Sequence, residues 1–399
     1  MLIEIFLALI FGIIAGTFTG IFPGIHINLV SLMIFTWSGF LLKFAPPIVL
    51  AAFIVSMAIT HTFLDFIPSI FLGAPEEATS LSVLPGHSLL LKGRGYEAVR
   101  LASIGSLSGV ILTAIFVPVF LFALPAVYGA SEKFIPLILI LSSAFLIYKE
   151  GKGKKTLALM AFLISGVLGV FVLDFNMIRE PLFPLLTGLF GTSMLFTSLN
   201  NNTKIPKQTL DHKKINKKEF SKAIKASVIS SPLCSFLPGL GASQAAVIGS
   251  SFTEMDERVF LILLGMIGTF VTGLNFASLY IIGKGRSGAS VIIGKLVELN
   301  LSSLSLLIAV MIASGGIALL LSLYFAKVFS RFIEKVNYRM LSIAIILLLV
   351  ALSIMISGPL SLIVLMASTS LGVYVNESGI KKMHMMGCLI IPVIFYLLF

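Results

Sequence analysis

The sequence predicts an all-α polytopic membrane protein, with about 10–13 membrane segments in two inverted-topology repeats whose key helices are broken by Pro-Gly elements. Three observations carry this. Only 11% of the 399 residues are charged and 58% are hydrophobic, whereas a soluble domain has about 25% charged residues. Mean hydropathy is +1.08. The apolar runs are also continuous and long enough for membrane helices of about 20 residues. Barrel strands would instead alternate apolar and polar over about ten residues.

The first apolar run, 2–21, carries Glu4 and lacks a basic leader, so it reads as a membrane segment and not as a cleaved signal. Runs at 25–41 and 46–64 follow. The stretch 66–91 mixes Gly, Pro and charge and reads as re-entrant or partly unwound, which hydrocarbon tolerates only where protein or a wet cavity surrounds the backbone. Runs at 101–124, 134–148, 156–173 and 182–198 complete a first repeat, 1–199. The longest polar stretch, 200–222, reads as a solvated basic cytoplasmic linker. A second repeat, 223–399, holds runs at 226–250, 259–282, 300–325, 340–356, 358–375 and 384–399, with another re-entrant candidate at 283–298.

Net charge is +11. In a membrane chain, cytoplasmic loops account for such an excess better than nucleic acid does. Twenty-one of the 28 basic residues fall in five stretches, 92–100, 149–155, 204–225, 327–339 and 381–382. Placing all five in the cytoplasm agrees with counting the spans between them, puts the N-terminus outside, and predicts a multi-pass protein of the plasma membrane. Cys234 and Cys388 lie in apolar stretches and read as packing residues.

GIFPGIHIN (20–28) and SFLPGLGAS (235–243) align Pro23 and Gly24 with Pro238 and Gly239. DFIPSIFLGAPEEA (65–78) aligns with NFASLYIIGKGRSG (275–288), setting Phe66 on Phe276, Gly73 on Gly283 and Asp65 opposite Asn275. The loop 125–133 is nearly free of positive charge while its counterpart 327–339 carries four basic residues, so the halves read as inverted, an architecture common in transporters.

Proline removes a backbone donor and glycine permits a break, so each Pro-Gly element should end one helix and start another. Free N–H groups at Ile25, His26 and Ile27, and at Leu240, Gly241 and Ala242, would then face an anion. The expected substrate site comprises Pro23, Gly24, Ile25, His26, Asn28, Gly73, Thr79, Ser80, Pro238, Gly239, Gly241, Ser243 and Gln244. Kinks used only for packing are the plainer alternative. His61 and Asp65 share a helix face, and intramembrane ionisable residues are functional candidates. With Glu76, Glu77, Asn275 and Arg286 they form the expected coupling or gating set. A helix-end His–Asp pair in interfacial water, and a helix first turn for the glutamates, are the plainer readings. Lys284 and Arg286 are suited to neutralising an anionic substrate. No phosphate-binding G-x-x-x-x-G-K and no H-E-x-x-H occurs, which argues against an ATP-driven pump and a zinc protease.

At GIFPGIHIN (20–28), FLGAPEEATSLSVLPGHSLLLKGRGYEAVRLASIGS (71–106) and FLPGLGAS (236–243), the chain resembles the large permease subunit of tripartite tricarboxylate transporters, the TctA family (DUF112), in a compact, archaeal-type branch. The resemblance implies inverted helical repeats and a site at Pro23, Gly24, Pro238, Gly239 and the 73–80 turn. It also implies carboxylate uptake driven by Na⁺ or H⁺, a small membrane subunit and an extracytoplasmic solute-binding protein. The paired Pro-Gly pattern also resembles DUF368-type polyprenyl-phosphate carriers.

The expected function is therefore a secondary active permease for an organic anion, a di- or tricarboxylate, working by alternating access as the two halves rock. It is not an enzyme and needs no cofactor beyond a coupling ion. A lipid-phosphate flippase is the alternative. An intramembrane metalloenzyme is the distant one, because no ligand spacing here is specific.

Overall fold

The computed structural model describes residues 1–22, 27–74, 78–131, 134–148, 150–151, 153–175, 177–200, 206–236, 241–333 and 338–398. Helices account for nearly all of it, and no strand occurs among the described residues. The first half contains α1 (Leu2–Ile21), α2 (Ile27–Thr36), the single turn α3 (Ser38–Leu41), α4 (Pro47–Leu64), α5 (Val83–Leu91), α6 (Gly95–Ser131), α7 (Ile135–Tyr148), α8 (Lys155–Asp174), α9 (Leu182–Leu186) and α10 (Ser193–Asn200). The second half contains α11 (Lys217–Phe236), α12 (Ala242–Ser251), α13 (Glu257–Ile282), α14 (Gly288–Leu296), α15 (Leu301–Ile333), α16 (Tyr338–Ser357), α17 (Ser361–Ser378) and α18 (Gly387–Leu398). A π-helical turn, Pro68–Leu72, prolongs α4, and another, Thr187–Thr192, joins α9 to α10. Six helices are long and apolar enough to cross a membrane: Leu2–Ile21, Pro47–Leu72, Gly95–Tyr128, Lys155–Asp174, Glu257–Ile282 and Leu301–Ile333. Shorter apolar helices lie between them. This is a multi-pass membrane protein.

Glycines set the helix directions, because small residues let backbones approach closely in the absence of a hydrophobic drive between helices. On α1, a Cβ at Gly12 would lie 2.6 Å from Phe53 O, one at Gly16 2.7 Å from Thr60 Cβ, and one at Gly20 2.8 Å from Leu64 Cβ. Residue numbers climb together on the two helices, so α1 and α4 run parallel. The chain must therefore return between Ile21 and Pro47. Gly249 of α12 packs on Ala226 and Ser230 of α11, and Lys222 Nζ donates to Glu254 O at 3.3 Å, so α12 runs back beside α11. So α12 is not collinear with α11, and the two form a hairpin.

The halves are not separate lobes. Gly105 and Gly109 of α6 lie against the backbone of Ile262 and Met266 on α13, and Gly265 of α13 lies against Ala102. Thr269 Oγ1 donates to Ser106 O at 2.6 Å. In the same way α15 meets α4, where Ser322 Oγ donates to Phe63 O at 3.2 Å and the rings of Phe71 and Phe329 are 6.0 Å apart. So α4 of the first half takes α15 of the second, and α13 of the second takes α6 of the first.

The remaining helices exchange partners too. Ser165 of α8 donates to His384 O at 3.5 Å, and Ser368 of α17 donates to Pro184 O at 3.2 Å. Gly169 of α8 lies against Cys388 O, and Gly372 of α17 against Leu189 O. Two bodies result, each built from both halves. The first holds α1–α6 with α11–α15, and the second holds α7–α10 with α16–α18. A rocking of half against half would have to part these backbone contacts.

The basic stretches gather on common ground. Lys92 pairs with Glu257 at 2.9 Å, and Lys327 lies over the Tyr96 ring. Glu97, fully buried, is flanked by Arg94 and by Arg258, whose Nε is 3.1 Å away. Arg258 also donates to Lys213 O at 3.1 Å. Gln208 is buried and ties the linker to Leu90 O at 3.0 Å and to Gly95 N at 2.9 Å. The segment 206–214 is thus strapped onto both halves through Gln208 and the Lys213 carbonyl, while Pro206, Lys207 and residues 211–214 stay exposed. On the other body Glu150 bonds His384 at 2.8 Å, and Lys154 donates to Gly379 O at 2.9 Å. Since α15 ends in a basic stretch and runs parallel to α4 and hence to α1, the N-terminus lies on the face opposite Lys327.

Candidate functional site

The second residues of α2 and α12 each reach into the other half. In α2, Asn28 Oδ1 accepts from Ala289 N at 3.2 Å, at the start of α14. Gly288 leaves room for it, since a Cβ there would lie 2.7 Å from Asn28 Cγ. In α12 the corresponding residue is Ser243, whose Oγ is 3.4 Å from Ser80 Oγ. The 79–82 turn is held from within. Thr79 O accepts from Ser82 Oγ at 2.7 Å and from Ser69 Oγ at 3.2 Å, and the two serines are 2.9 Å apart. Serines, threonines and asparagines suit this work because their short side chains reach nearby backbone groups.

At the start of α12 the Gly241 N–H donates to Gln244 Oε1 at 2.9 Å. That amide is therefore occupied by its own helix and is not open to a ligand, while the Gln244 amide nitrogen remains a donor. Helix α14 starts similarly, with Ser287 and Ser290 capping each other. Gly73 and Gly283 end their helices in the left-handed region, at φ 65° and 66°. A Cβ is strained there, which explains glycine at both.

His61 and Asp65 are buried on α4. Thr19 Oγ1 donates to Gly16 O at 3.3 Å and lies 3.0 Å from His61 Nδ1. Gly20 lets α1 close on this turn, a Cβ there lying 3.1 Å from His61 O and 3.3 Å from Asp65 N. On α13, Asn275 is buried and its Oδ1 has no hydrogen-bond partner among the described residues, nor has Ser278 Oγ one turn on. Arg286 is half-buried and donates to Tyr128 Oη at 3.1 Å, beside Lys284 at 2.9 Å.

The structure thus brings Ser80 and Thr79 to Ser243, and Asn28 to the Ser287–Ser290 cap. It sets Arg286 on Tyr128, a contact the sequence reading missed. A tyrosine near the end of an apolar run signals only a membrane interface. Expected positions Pro23, Gly24, Ile25, His26, Glu76, Glu77, Pro238 and Gly239 lie outside the described residues. Among the described residues no three His, Cys, Asp or Glu side chains gather to hold a metal ion.

Residues 6–387 match the model of the tripartite tricarboxylate transporter TctA family. The chain belongs to the TctA family. It is 34% identical over 409 aligned residues to an uncharacterized protein of Methanocaldococcus jannaschii, covering 98% of each chain. No solved structure matches. TctA membership implies a permease of the tripartite tricarboxylate transporter type. In this TctA chain the family match spans both Pro-Gly elements and the Arg286–Tyr128 contact.

Proposed function

We propose that this chain is a secondary transporter of the plasma membrane that carries an organic anion, a di- or tricarboxylate, coupled to Na⁺ or H⁺. The family supports the permease role. The observation that carries the mechanism is the exchanged packing of the halves. We read 1–199 and 223–399 as inverted repeats joined by the linker, with the basic face cytoplasmic and the N-terminus outside. In support, Ser165–His384 and Ser368–Pro184 are the same contact with the halves interchanged, as are Gly169–Cys388 and Gly372–Leu189. The Asn28–Ala289 and Ser243–Ser80 contacts obey the same interchange.

One pair breaks the symmetry. A Cβ at Gly73 would meet Leu195 Cδ2 at 3.5 Å, and Ala74, Leu195, Ile345 and Leu349 form a small separate apolar cluster between the two bodies. A Cβ at Gly283, the counterpart of Gly73, meets nothing within 4 Å among the described residues. A cavity of about 460 Å³ lies there instead, lined by Gly283, Gly285, Tyr280 and Lys295 among others. In an inverted-repeat carrier the other access state interchanges the conformations of the repeats. The second body would then leave Leu195–Ala74 and close Ile394, which the Leu189–Cys388 match sets opposite Leu195, on Lys284, the counterpart of Ala74. Substrate would be carried between faces by relative movement of the two bodies, each kept rigid by its glycine contacts. A small membrane subunit and a solute-binding protein would act on the outer face.

The test uses two cysteine pairs in a background with Cys234 and Cys388 replaced, in native membranes. Ala74→Cys with Leu195→Cys should cross-link in one state, and Lys284→Cys with Ile394→Cys in the other. Citrate or succinate with Na⁺ or at low pH should move the ratio between them. Cross-linking of the first pair alone under every condition would refute the exchange.

A further inference from the structure

We infer that Tyr128 is a positioning residue that holds Arg286 and Lys284 together as a clamp for a carboxylate of the substrate, with the Nε edge of Arg286 as its receptor. This rests on the anion-carrier reading and deepens it.

The phenol oxygen accepts from Arg286 at 3.1 Å and from Lys284 at 2.9 Å. Both cations also face the Tyr128 ring, the guanidinium 5.7 Å and the ammonium 5.2 Å from its centre. Two like charges sharing one oxygen atom repel, although the exposed Lys284 ammonium lets water screen them in part. A neutral phenol offsets it only in part, through its lone pairs and the negative face of the ring. Among the described residues no carboxylate lies within ion-pair distance of Arg286.

Arg286 Nε is buried and has no partner among the described residues. A buried unpaired N–H costs free energy that an acceptor would recover. The guanidinium fork matches a carboxylate in a two-point, planar fashion that an ammonium cannot. Arg286 immediately precedes Ser287, the cap of the nine-residue helix α14, whose positive end adds to the local potential. The cavity of about 460 Å³ lies along the same hairpin, lined by Gly283, Gly285, Lys295 and Glu298, and Arg286 is beside it and not part of its lining. Tyr128, from the first half, also ties the clamp to the other hairpin of the second half. Its ring meets Phe236, the last residue of α11, edge to face at 6.3 Å. An anion bound there would thus be felt at the α11–α12 hairpin through one aromatic contact.

Phenylglyoxal, which modifies accessible guanidinium groups, tests this on the purified full chain, with mass spectrometry of the peptide that contains Arg286. Citrate and succinate should slow modification of Arg286 and raise the thermal midpoint. Tyr128→Phe keeps the ring and its contact with Phe236 but removes the oxygen. It should lower the midpoint without ligand, since two cations lose their shared acceptor, and separately weaken citrate protection of Arg286 about ten-fold, the scale of one charge-assisted hydrogen bond. Arg286→Lys should abolish stabilisation by citrate, and adding Tyr128→Phe to it should change nothing more. Equal citrate protection of Arg286 in wild type and Tyr128→Phe would overturn the role of Tyr128. Protection by inorganic phosphate but by no carboxylate would keep the clamp as an anion receptor and overturn the carboxylate reading. No protection by citrate, succinate or phosphate would overturn the clamp, even if citrate stabilised the protein elsewhere.

Discussion

Two glycines one turn apart on α13 give the sharpest test of the interlocked core. Both Gly265 and Gly268 are buried in one helix. Replacing either by alanine gains helix propensity of up to about 1 kcal/mol. They differ in what the new methyl meets. At Gly265 it would lie 2.7 Å from the carbonyl carbon of Ala102 and 3.0 Å from Ser106 N, while at Gly268 nothing lies within 4 Å. Carbon atoms in contact prefer about 3.5–4.0 Å, so Gly265→Ala must push α6 away by roughly 1 Å. Overpacking of this kind costs about 1–3 kcal/mol. The Thr269–Ser106 hydrogen bond of 2.6 Å spans the same gap, and its loss adds about 1 kcal/mol. Net of propensity, Gly265→Ala should destabilise by about 2 kcal/mol and Gly268→Ala should be neutral or stabilising by up to about 1 kcal/mol. The assay is the thermal midpoint of purified protein in one detergent at one scan rate, since large chains unfold irreversibly. Equal midpoints for the two variants, or a lower one for Gly268→Ala, would refute the claim that backbone contact between α6 and α13 locks the halves together.

Two further outcomes concern buried carboxylates. Glu97→Gln leaves Arg94 and Arg258 without their shared anion and should cost about 3–5 kcal/mol; the double change with Arg258→Gln should recover part of that loss, and an additive loss would mean that the two residues do not interact. At Glu150, burial acts to raise the carboxyl, but the hydrogen bond and charge of His384, with Lys381 and the Gly151 N–H, outweigh it and hold the group below the usual carboxylate value of 4.5. Its contribution is therefore complete above that value and is lost as pH falls through the lower folded one. Midpoints measured from pH 7 down to 3 should show this acid-side loss in wild type and a reduced loss in Glu150→Gln, and identical pH profiles would remove Glu150 from the account.

The sequence by itself determined the class of the protein and the places where its helices break. Charge and hydropathy required a bilayer, because so many apolar side chains have no other solvent, and hydrocarbon forces the backbone into helices. Proline and glycine are local chemistry, so the stops at Ile21, Phe236, Gly73 and Gly283 are legible along the chain. Asn28, Thr79, Ser80 and Ser243 were likewise readable as small polar groups beside those stops. The course of the chain after a stop was not readable. Whether α12 continues or doubles back depends on Gly249 finding Ala226 and Ser230, a contact between surfaces that neither segment encodes alone. The pairing of α6 with α13 and of α8 with α18 is of the same kind. Glycines at 105, 109, 169 and 265 announce close packing without naming the partner, since any backbone of suitable shape would serve. Tyr128 reaching Arg286, and Glu97 reaching Arg258, join residues more than 150 positions apart, and only the folded arrangement brings their charges within range of each other.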